Sequence, residues 1–305
     1  MADYSKWSSQ SKNDKIFDLI HTFFIIVILA IVIYPLYFVV IASISDAKEV
    51  LQGKVFLYPK GINFEAYEKV LNHNAVMTGY RNSIFYTVLG TSINIFMTVL
   101  LAFPLSQKDF KGRGFFTVFI TVTMFFNGGL IPTYLVVKKL HMINTFWALV
   151  IPSAISTYNV LIMRTYFQTS IPYEMQEAAI IDGCNKIKIL LKIVLPLSAP
   201  IMAVMLLFYA VGHWNAYFNA IIYITDENKF PLQLVLREIL VQSQTAQLME
   251  SGGSGAGIDT IARQQMLAES LKYGLIVVAS APMLILYPFL QKYFVKGIML
   301  GAIKG

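Results

Sequence analysis

Residues 174–196, EMQEAAIIDGCNKIKILLKIVLP, form a polar stretch between two long apolar windows of the chain. Pro172 suits the first position of a helix, where its missing N–H costs nothing, and the glutamates that follow favour a helix start electrostatically. Gly183 interrupts the helical spacing of apolar residues and predicts a C-terminal residue in the left-handed conformation. Pro196 predicts the start of the next helix. The stretch therefore predicts a short helix, a sharp turn and a second short helix that leads into an apolar segment.

The composition of the chain is that of a membrane protein. Of its 305 residues, 56% are hydrophobic and 13% are charged, which excludes an ordinary soluble globular protein. The charges leave six charge-free windows, each close to the roughly 20 residues that a membrane-spanning helix needs. We therefore predict an all-α membrane protein with six transmembrane helices at about residues 18–44, 82–106, 114–137, 143–164, 196–224 and 272–291.

The positive charges predict how these spans are oriented. Lysines precede the first span within residues 1–15, and further Lys and Arg residues fill the short second loop, the central stretch and the tail. Because cytoplasmic loops carry an excess of Lys and Arg, both termini and the loop 172–195 are predicted to be cytoplasmic. Residues 16–305 then form a single transmembrane domain, and residues 223–271 form an external loop. The glycine-rich run 251–257 predicts a flexible tip in that loop.

The central stretch also carries a motif. Glu177-Ala178-Ala179, three residues, Gly183, nine residues and Ile193-Val194-Leu195-Pro196 fill every fixed position of the pattern E-A-A-x3-G-x9-I-x-L-P. In this respect the chain resembles the permeases of ABC importers, whose EAA loop has this pattern. The six predicted spans, the WNAYFNA stretch and the tail FVKGIMLGAIKG are similar to those of maltose-type carbohydrate permeases. Within that group the chain most resembles permeases for pectin- or alginate-derived oligosaccharides.

The resemblance implies a fold, a function and a set of partners. It implies the ABC-importer permease fold, with a cytoplasmic coupling helix in the EAA loop between spans four and five. The adjacent alanines of the motif would give that helix a slim face that seats in a groove on an ATPase subunit. The residues that the resemblance assigns to this coupling are Glu174, Glu177, Ala178, Ala179, Ile181, Asp182, Gly183 and Pro196.

The implied activity is the import of oligosaccharides across the bacterial cytoplasmic membrane by alternating access. The implied partners are a homologous second permease, a dimer of ATPase subunits that binds ATP and Mg, and an extracytoplasmic solute-binding protein. The chain itself is expected to hold no cofactor, because no strand and no Gly-Lys-Ser/Thr sequence accompany its glycine-rich run.

A second set of residues combines polar and aromatic side chains in or beside the predicted spans. Aromatic rings pack against the C–H faces of sugars and amides hydrogen-bond their hydroxyls, so the set is a candidate for the substrate path. It is equally typical of interhelical hydrogen bonds and of aromatic residues at the membrane interface. The members are Asn127, Tyr158, Asn159, His213, Trp214, Asn215, Tyr217 and Asn219.

Enzymatic, metal-binding and nucleic-acid functions gain no support from the sequence. We find no catalytic Ser/His/Asp set, no paired carboxylates and no spaced metal ligands, so we expect neither a catalytic residue nor a metal site. The single cysteine, Cys184, excludes an internal disulfide. The positive-inside rule explains the net charge of +7 better than nucleic-acid binding does.

Three other functional interpretations stay open at this point. A permease of the same class could carry peptides or amino acids in place of oligosaccharides. A secondary transporter would work without an ATPase, although spans free of charged residues argue against it. A structural membrane protein would need neither the polar aromatic residues nor the spacing of the motif.

Overall fold

The structure, a computed structural model, describes residues 11–252, 271–289 and 291. Within these ranges the chain is helical and contains no β-strand. The helices are α1 Lys12–Ser43, α2 Ala47–Leu51, α3 Glu65–Leu71, α4 Asn74–Ser106, α5 Arg113–Phe125, α6 Leu130–Lys139, α7 Trp147–Val150, α8 Thr157–Thr169, α9 Tyr173–Ile181, α10 Lys186–Ile189, α11 Leu195–Leu197, α12 Ala199–Trp214, α13 Phe218–Tyr223, α14 Leu232–Gly252 and α15 Leu271–Phe289. A π-helical turn, Leu190–Val194, joins α10 to α11.

Three helices in the described part of the chain are long and apolar enough to cross a membrane. They are α1, α4 and α15, and they overlap the predicted spans 18–44, 82–106 and 272–291. The number rises to five if each of two sharply bent helix pairs forms one span. The remaining three predicted windows are therefore not single straight helices.

The predicted span 114–137 contains two helices instead of one continuous helix. Helix α5 ends at Phe125, α6 begins at Leu130, and their axes differ by 112°. The side-chain oxygen of Asn127 accepts the N–H of Gly129 at 3.0 Å, and Gly129 has a φ of 85°. Because this φ favours glycine and an Asn side chain stabilises turns, the Asn-Gly-Gly sequence ends one helix before the next begins.

The window 143–164 is also broken into separate helices. Helix α7 has four residues, a 3-10 turn follows at Ile151–Ser153, and α8 begins at Thr157. Pro152 in this turn has no N–H to donate to a continuing helix. The hydroxyl of Ser156 accepts the N–H of Asn159 at 3.4 Å and so caps the start of a new helix.

Pro196 lies in the first turn of α11, as predicted, but α11 continues a helical run that begins before it. Helical structure runs from Lys186 to Leu197, and the chain then bends by 82° at Ser198 before α12. Pro196 and Pro200 both lack an N–H, so a continuous ladder of hydrogen bonds cannot pass through this region. The buried hydroxyl of Ser198 donates to the carbonyl oxygen of Val194 at 2.6 Å, which satisfies one carbonyl at the bend. The window 196–224 breaks again between α12 and α13.

The predicted external loop 223–271 contains a long helix. Helix α14 occupies 21 of its residues. Most of the glycine-rich run 251–257 lies outside the described residues, as do residues 1–10 and the tail after residue 291. The structure therefore leaves the predicted flexible tip and the predicted positions of both termini as predictions.

The chain divides into two compact units, of which the first contains Met1–Val70 and Gln242–Val278. In this unit α1 is apolar but buries only its last three residues, from Ile41 to Ser43. A long helix with apolar side chains around its whole exposed circumference is typical of a span surrounded by lipid.

The second unit contains Leu71–Val241 and Ala279–Gly305, and its core lies between α4, α8 and α12. Buried side chains from these three helices include Val99, Phe103, Val160, Met163, Phe167 and Met205. The same cluster includes residues in or beside the EAA loop, namely Ile171, Ala179, Ile189, Leu190 and Val194. The EAA loop is thus attached to the hydrophobic core of this unit through Ala179 and through residues 189–194.

Candidate coupling site and substrate path

Helix α9 begins and ends close to the residues that we predicted. Pro172 precedes the first helical residue, one position earlier than expected. At the other end Gly183 has a φ of 77°, and its N–H donates to the carbonyl of Ile180 at 3.0 Å. The N–H of Cys184 donates to the carbonyl of Ala179 at 2.9 Å. These two bonds form the Schellman motif, so the predicted left-handed conformation of Gly183 is confirmed.

Helix α9 has a buried face and an exposed face. Gln176 and Ala179, one turn apart, are buried against the core. The exposed residues are Glu174, Met175, Glu177, Ala178, Ile180 and Ile181, which we call the outer face, and Asp182, Gly183 and Pro196 are exposed as well. Of the two alanines in the predicted docking face, Ala178 is exposed, whereas Ala179 is buried and anchors the helix. Ile181 is 86% exposed, and the apolar side chains of Met175 and Ile180 on the outer face are exposed as well.

The loop between α4 and α5 holds α9 through a buried polar contact. The side-chain amide of Gln107 donates to the side-chain oxygen of Gln176 at 3.1 Å, and both residues are buried. The ammonium of Lys186 donates to the side-chain oxygen of Gln107 at 3.4 Å. Because a buried amide is costly without partners, this contact fixes the position of α9 relative to the end of α4.

Two charged contacts reinforce the same junction. The ammonium of Lys108 lies 4.3 Å from the ring centre of Tyr173, and Asp109 pairs with Lys186 at 2.8 Å. The hydrogen bond from Lys186 holds the pKa of the Asp109 carboxyl below its ordinary value, because it stabilises the charged form. We call the contacts of residues 107–109 with α9 and α10 the loop clamp.

The buried amide pair of the loop clamp can be tested by substitution. We expect Gln107→Leu to destabilise the protein by about 1–3 kcal/mol, because it leaves Gln176 buried without this partner. The double variant Gln107→Leu/Gln176→Leu should cost less than the sum of the two single variants. Thermal unfolding of the purified permease would measure these effects, with the exposed Gln52→Leu as a control. Additive losses from the two single variants would contradict the contact.

Two members of the predicted substrate set connect helices to one another. The Nε2 atom of His213 lies 2.5 Å from the side-chain oxygen of Asn94, whose amide donates to the carbonyl of Ser153 at 2.6 Å. The buried Trp214 donates its indole N–H to the carbonyl of Ala279 at 2.9 Å. For these two residues the structure favours interhelical hydrogen bonding, one of the two interpretations left open by the sequence.

The other members of the set are distributed around the breaks between helices. Asn127, Tyr158, Asn215 and Tyr217 are exposed, Asn219 is half-buried, and Asn159 is buried at the start of α8. The hydroxyls of Thr123 and Thr157 lie 3.1 Å apart, so the helix ends beside Asn127 and Tyr158 are neighbours. No side-chain hydrogen bond among the described residues joins one member of the set to another.

Sequence reasoning missed a polar stripe along α4. Its buried residues are Ser83, Thr87, Gly90, Thr91, Asn94 and Thr98. The hydroxyl of Thr98 lies 2.7 Å from that of Tyr209 on α12, and Gly90 lies against the ring of His213. Small and polar residues at helical spacing within an apolar window are typical of a helix-packing face in a membrane. That spacing was the signal in the sequence that could have revealed the stripe.

A cavity of about 390 Å³ lies near the other end of α4, away from the loop clamp. We call it the outer pocket. The ring centres of Phe85 and Phe146 are 5.6 Å apart in an edge-to-face arrangement, and those of Phe146 and Trp147 are 4.2 Å apart. The residues that line it are Asn82, Phe85, Tyr86, Asn144, Thr145, Phe146, Trp147 and Lys229. The outer pocket thus combines aromatic rings, amides and one ammonium.

Comparison with known proteins assigns the family. A family model described as binding-protein-dependent transport system inner membrane component matches residues 74–300. The chain is 39% identical to Protein LplC of Bacillus subtilis (strain 168), with 97% of each chain covered. It is also 39% identical to the polygalacturonan/rhamnogalacturonan transport system permease protein YtcP of the same organism, over 96% of this chain and 100% of the relative.

A solved structure supports the same assignment. It is a bacterial ABC transporter involved in the import of the acidic polysaccharide alginate, with a TM-score of 0.81 and 33% sequence identity. The match covers 93% of this chain and 99% of the other. The resemblance to ABC-importer permeases is therefore confirmed, and the chain is a multi-pass inner-membrane protein that acts in transport and not as an enzyme. The chain belongs to the family of binding-protein-dependent transport system inner membrane components, the permease subunits of ABC transporters.

Proposed function

We propose that this chain is a permease subunit of an ATP-driven importer for acidic oligosaccharides. The support for the solute is the description of two similar proteins, one transporting polygalacturonan and rhamnogalacturonan and one importing alginate. Polygalacturonan and alginate are chains of sugar acids. Neutral oligosaccharides, peptides and amino acids are the competing solutes.

The observation that carries the coupling proposal is the division of α9 into an anchored and an exposed face. Ala179 and Gln176 hold the helix to the unit that contains α4, α8 and α12. The outer face then docks in a groove on an ATPase subunit, with Ile181 as its apolar anchor and Glu177 beside a basic group. The buried face of α9 is held by the core and the loop clamp. A displacement of α9 by the ATPase therefore moves α4, α8 and α12 with it. Alternating access follows from that movement.

We propose that the chain crosses the membrane six times, the number that the sequence predicts. Helices α1, α4 and α15 each cross once, and the bent pair α5 and α6 crosses once. The broken segment α7–α8 and the segment α12–α13 supply the others, with α9 and α10 in the cytoplasm between them. Bent and interrupted helices are tolerated in a membrane where they line a cavity or pack on other helices. Both termini are proposed to be cytoplasmic, with residues 1–15 before the transmembrane domain 16–305 and the loop 223–271 outside.

The partners of permeases in this family are, in general, a second permease, an ATPase and a solute-binding protein. We propose that here the second permease is homologous to this chain, that two ATPase subunits bind ATP and Mg, and that the binding protein is extracytoplasmic. Among the predicted path residues, the exposed Asn127, Tyr158, Asn215 and Tyr217 are the better candidates for contact with the solute.

ATP hydrolysis by the reconstituted complex tests the proposed function. We expect the binding protein together with oligogalacturonate to stimulate hydrolysis several-fold, and a neutral oligosaccharide or a tripeptide to do so far less. A complex assembled without this chain should show no stimulation. Stimulation by the tripeptide alone would instead assign a permease for another solute. Uptake that proceeds without ATP would indicate a secondary transporter.

A further inference from the structure

The outer pocket lies where the proposed topology admits the solute. Asn82 and Phe85 are near the start of the second predicted span, and Lys229 precedes α14 in the predicted external loop. A volume of about 390 Å³ falls within the range of about 300–1,000 Å³ that is usual for ligand sites. The pocket is therefore suited by place and size to receive part of a solute released by the binding protein.

The aromatic rings of the outer pocket face a cavity, unlike the rings of interfacial residues that face lipid. The side chains of Phe85 and Trp147 are 48% and 42% exposed, and both line the outer pocket together with polar groups. Aromatic residues at a membrane interface normally present their rings to lipid. Here the rings converge with two amides and an ammonium around one cavity, which is the combination that binds the apolar face and the hydroxyls of a pyranose.

Two polar groups of the pocket, the amide of Asn144 and the ammonium of Lys229, are held in place and retain capacity to donate, whereas both N–H groups of the Asn82 amide already donate to the carbonyls of Asn228 and Phe230. The side-chain oxygen of Asn144 accepts the N–H groups of Thr225 at 3.2 Å and Asp226 at 3.1 Å, which fixes its amide nitrogen. The ammonium of Lys229 donates to the carbonyl of Asn144 at 3.1 Å and pairs with Asp226 at 3.3 Å. An ammonium has three N–H donors, so one more remains for a ligand.

We propose that the outer pocket binds a uronate residue of the incoming oligosaccharide, with its ring on Trp147 and its carboxylate on Lys229. The ordered amide of Asn144 donates to the same carboxylate or to a neighbouring hydroxyl. This proposal rests on the proposed function, because it assumes that acidic oligosaccharides are the solute. It gives the pocket the role of an entry subsite that distinguishes acidic from neutral sugars.

Uptake kinetics in proteoliposomes that contain the complete transporter test this subsite. The solutes are trigalacturonate and its methyl ester, which lacks the carboxylate charges. We expect Lys229→Met to raise the half-saturating concentration of trigalacturonate about tenfold and to leave that of the ester unchanged. Lys229→Arg should restore most of the preference. Trp147→Ala should raise the half-saturating concentration of both solutes, and Trp147→Phe should have a smaller effect.

Matched variants control for charge and surface apolarity. Lys139→Met and Leu140→Ala alter exposed residues at the end of α6 that do not line the pocket, and both should behave as wild type. Unchanged half-saturation in the Lys229 and Trp147 variants would overturn the proposal. The proposal would also be overturned if these variants lowered the maximal rate equally for both solutes and no longer associated with the binding protein. That result would assign the outer pocket to a surface that docks the binding protein. If wild type transports neither solute, the proposed function itself has failed.

Discussion

Replacing Ile181 with aspartate is expected to stop the ATPase subunit from co-purifying with the permease. Ile181 is 86% exposed at the end of α9, on the outer face that we assign to ATPase docking. The substitution removes an apolar anchor and places a charge in the proposed interface. Such changes at a central interface residue cost about 2 kcal/mol or more, which corresponds to binding weaker by about thirtyfold or more.

The same variant should leave the permease folded, because the side chain makes no part of the core. Co-purification and ATP hydrolysis therefore report the interface, and thermal unfolding of the isolated permease reports the fold. Ile62→Asp is the matched control, since Ile62 is 67% exposed and lies between the first two predicted spans, a segment that is external if the N-terminus is cytoplasmic. Full retention of the ATPase by the Ile181→Asp permease would show that the outer face of α9 is not the docking surface.

Replacing Gly90 with alanine is expected to destabilise the permease, because the added methyl group would overlap the ring of His213. An added Cβ would lie 2.5 Å from the Nε2 atom of His213 and within 2.8 Å of two further ring atoms. The ring cannot simply turn away, because its Nε2 atom is hydrogen-bonded to the buried Asn94. Overpacking of this kind typically costs about 1–3 kcal/mol, and the lost hydrogen bond adds to that.

Thermal unfolding of the purified permease would measure this loss, with Gly212→Ala as the control. Gly212 is also helical, but nothing lies within 4 Å of an added Cβ there, so alanine should be neutral or slightly stabilising. The double variant Gly90→Ala/His213→Ala should lose less stability than the sum of the two single variants, because it removes the clash. Equal stability of the Gly90→Ala and Gly212→Ala proteins would contradict the packing described for His213.

The features that could be predicted from the sequence are those that depend only on residues close together in the chain. The Schellman end of α9 follows from Gly183, because a left-handed residue after a helical run depends on little beyond that glycine. Helices α1 and α4 follow from the length of their apolar windows, which the thickness of a membrane requires. The family likewise follows from the fixed spacing of the EAA motif.

Features that depend on contacts distant in the sequence could not be predicted in the same way. The burial of Ala179 and the pairing of Gln107 with Gln176 depend on how the EAA loop packs against the end of α4. His213 and Asn94 are separated by 119 positions, so the helix connection they form was invisible among candidate sugar ligands. The break at Asn127 has a local cause, but the Asn-Gly-Gly sequence that marks it does not specify the 112° between helices α5 and α6.

Uptake and ATP hydrolysis measured together in the same proteoliposomes test most directly the claim that α9 couples this permease to an ATPase. The wild-type complex, supplied with binding protein and oligogalacturonate, should accumulate the sugar and release phosphate in parallel. The Ile181→Asp complex should lose both activities, and the Ile62→Asp complex should keep both. Sugar uptake that continues in the Ile181→Asp complex, or that needs no ATP in wild type, would contradict the account.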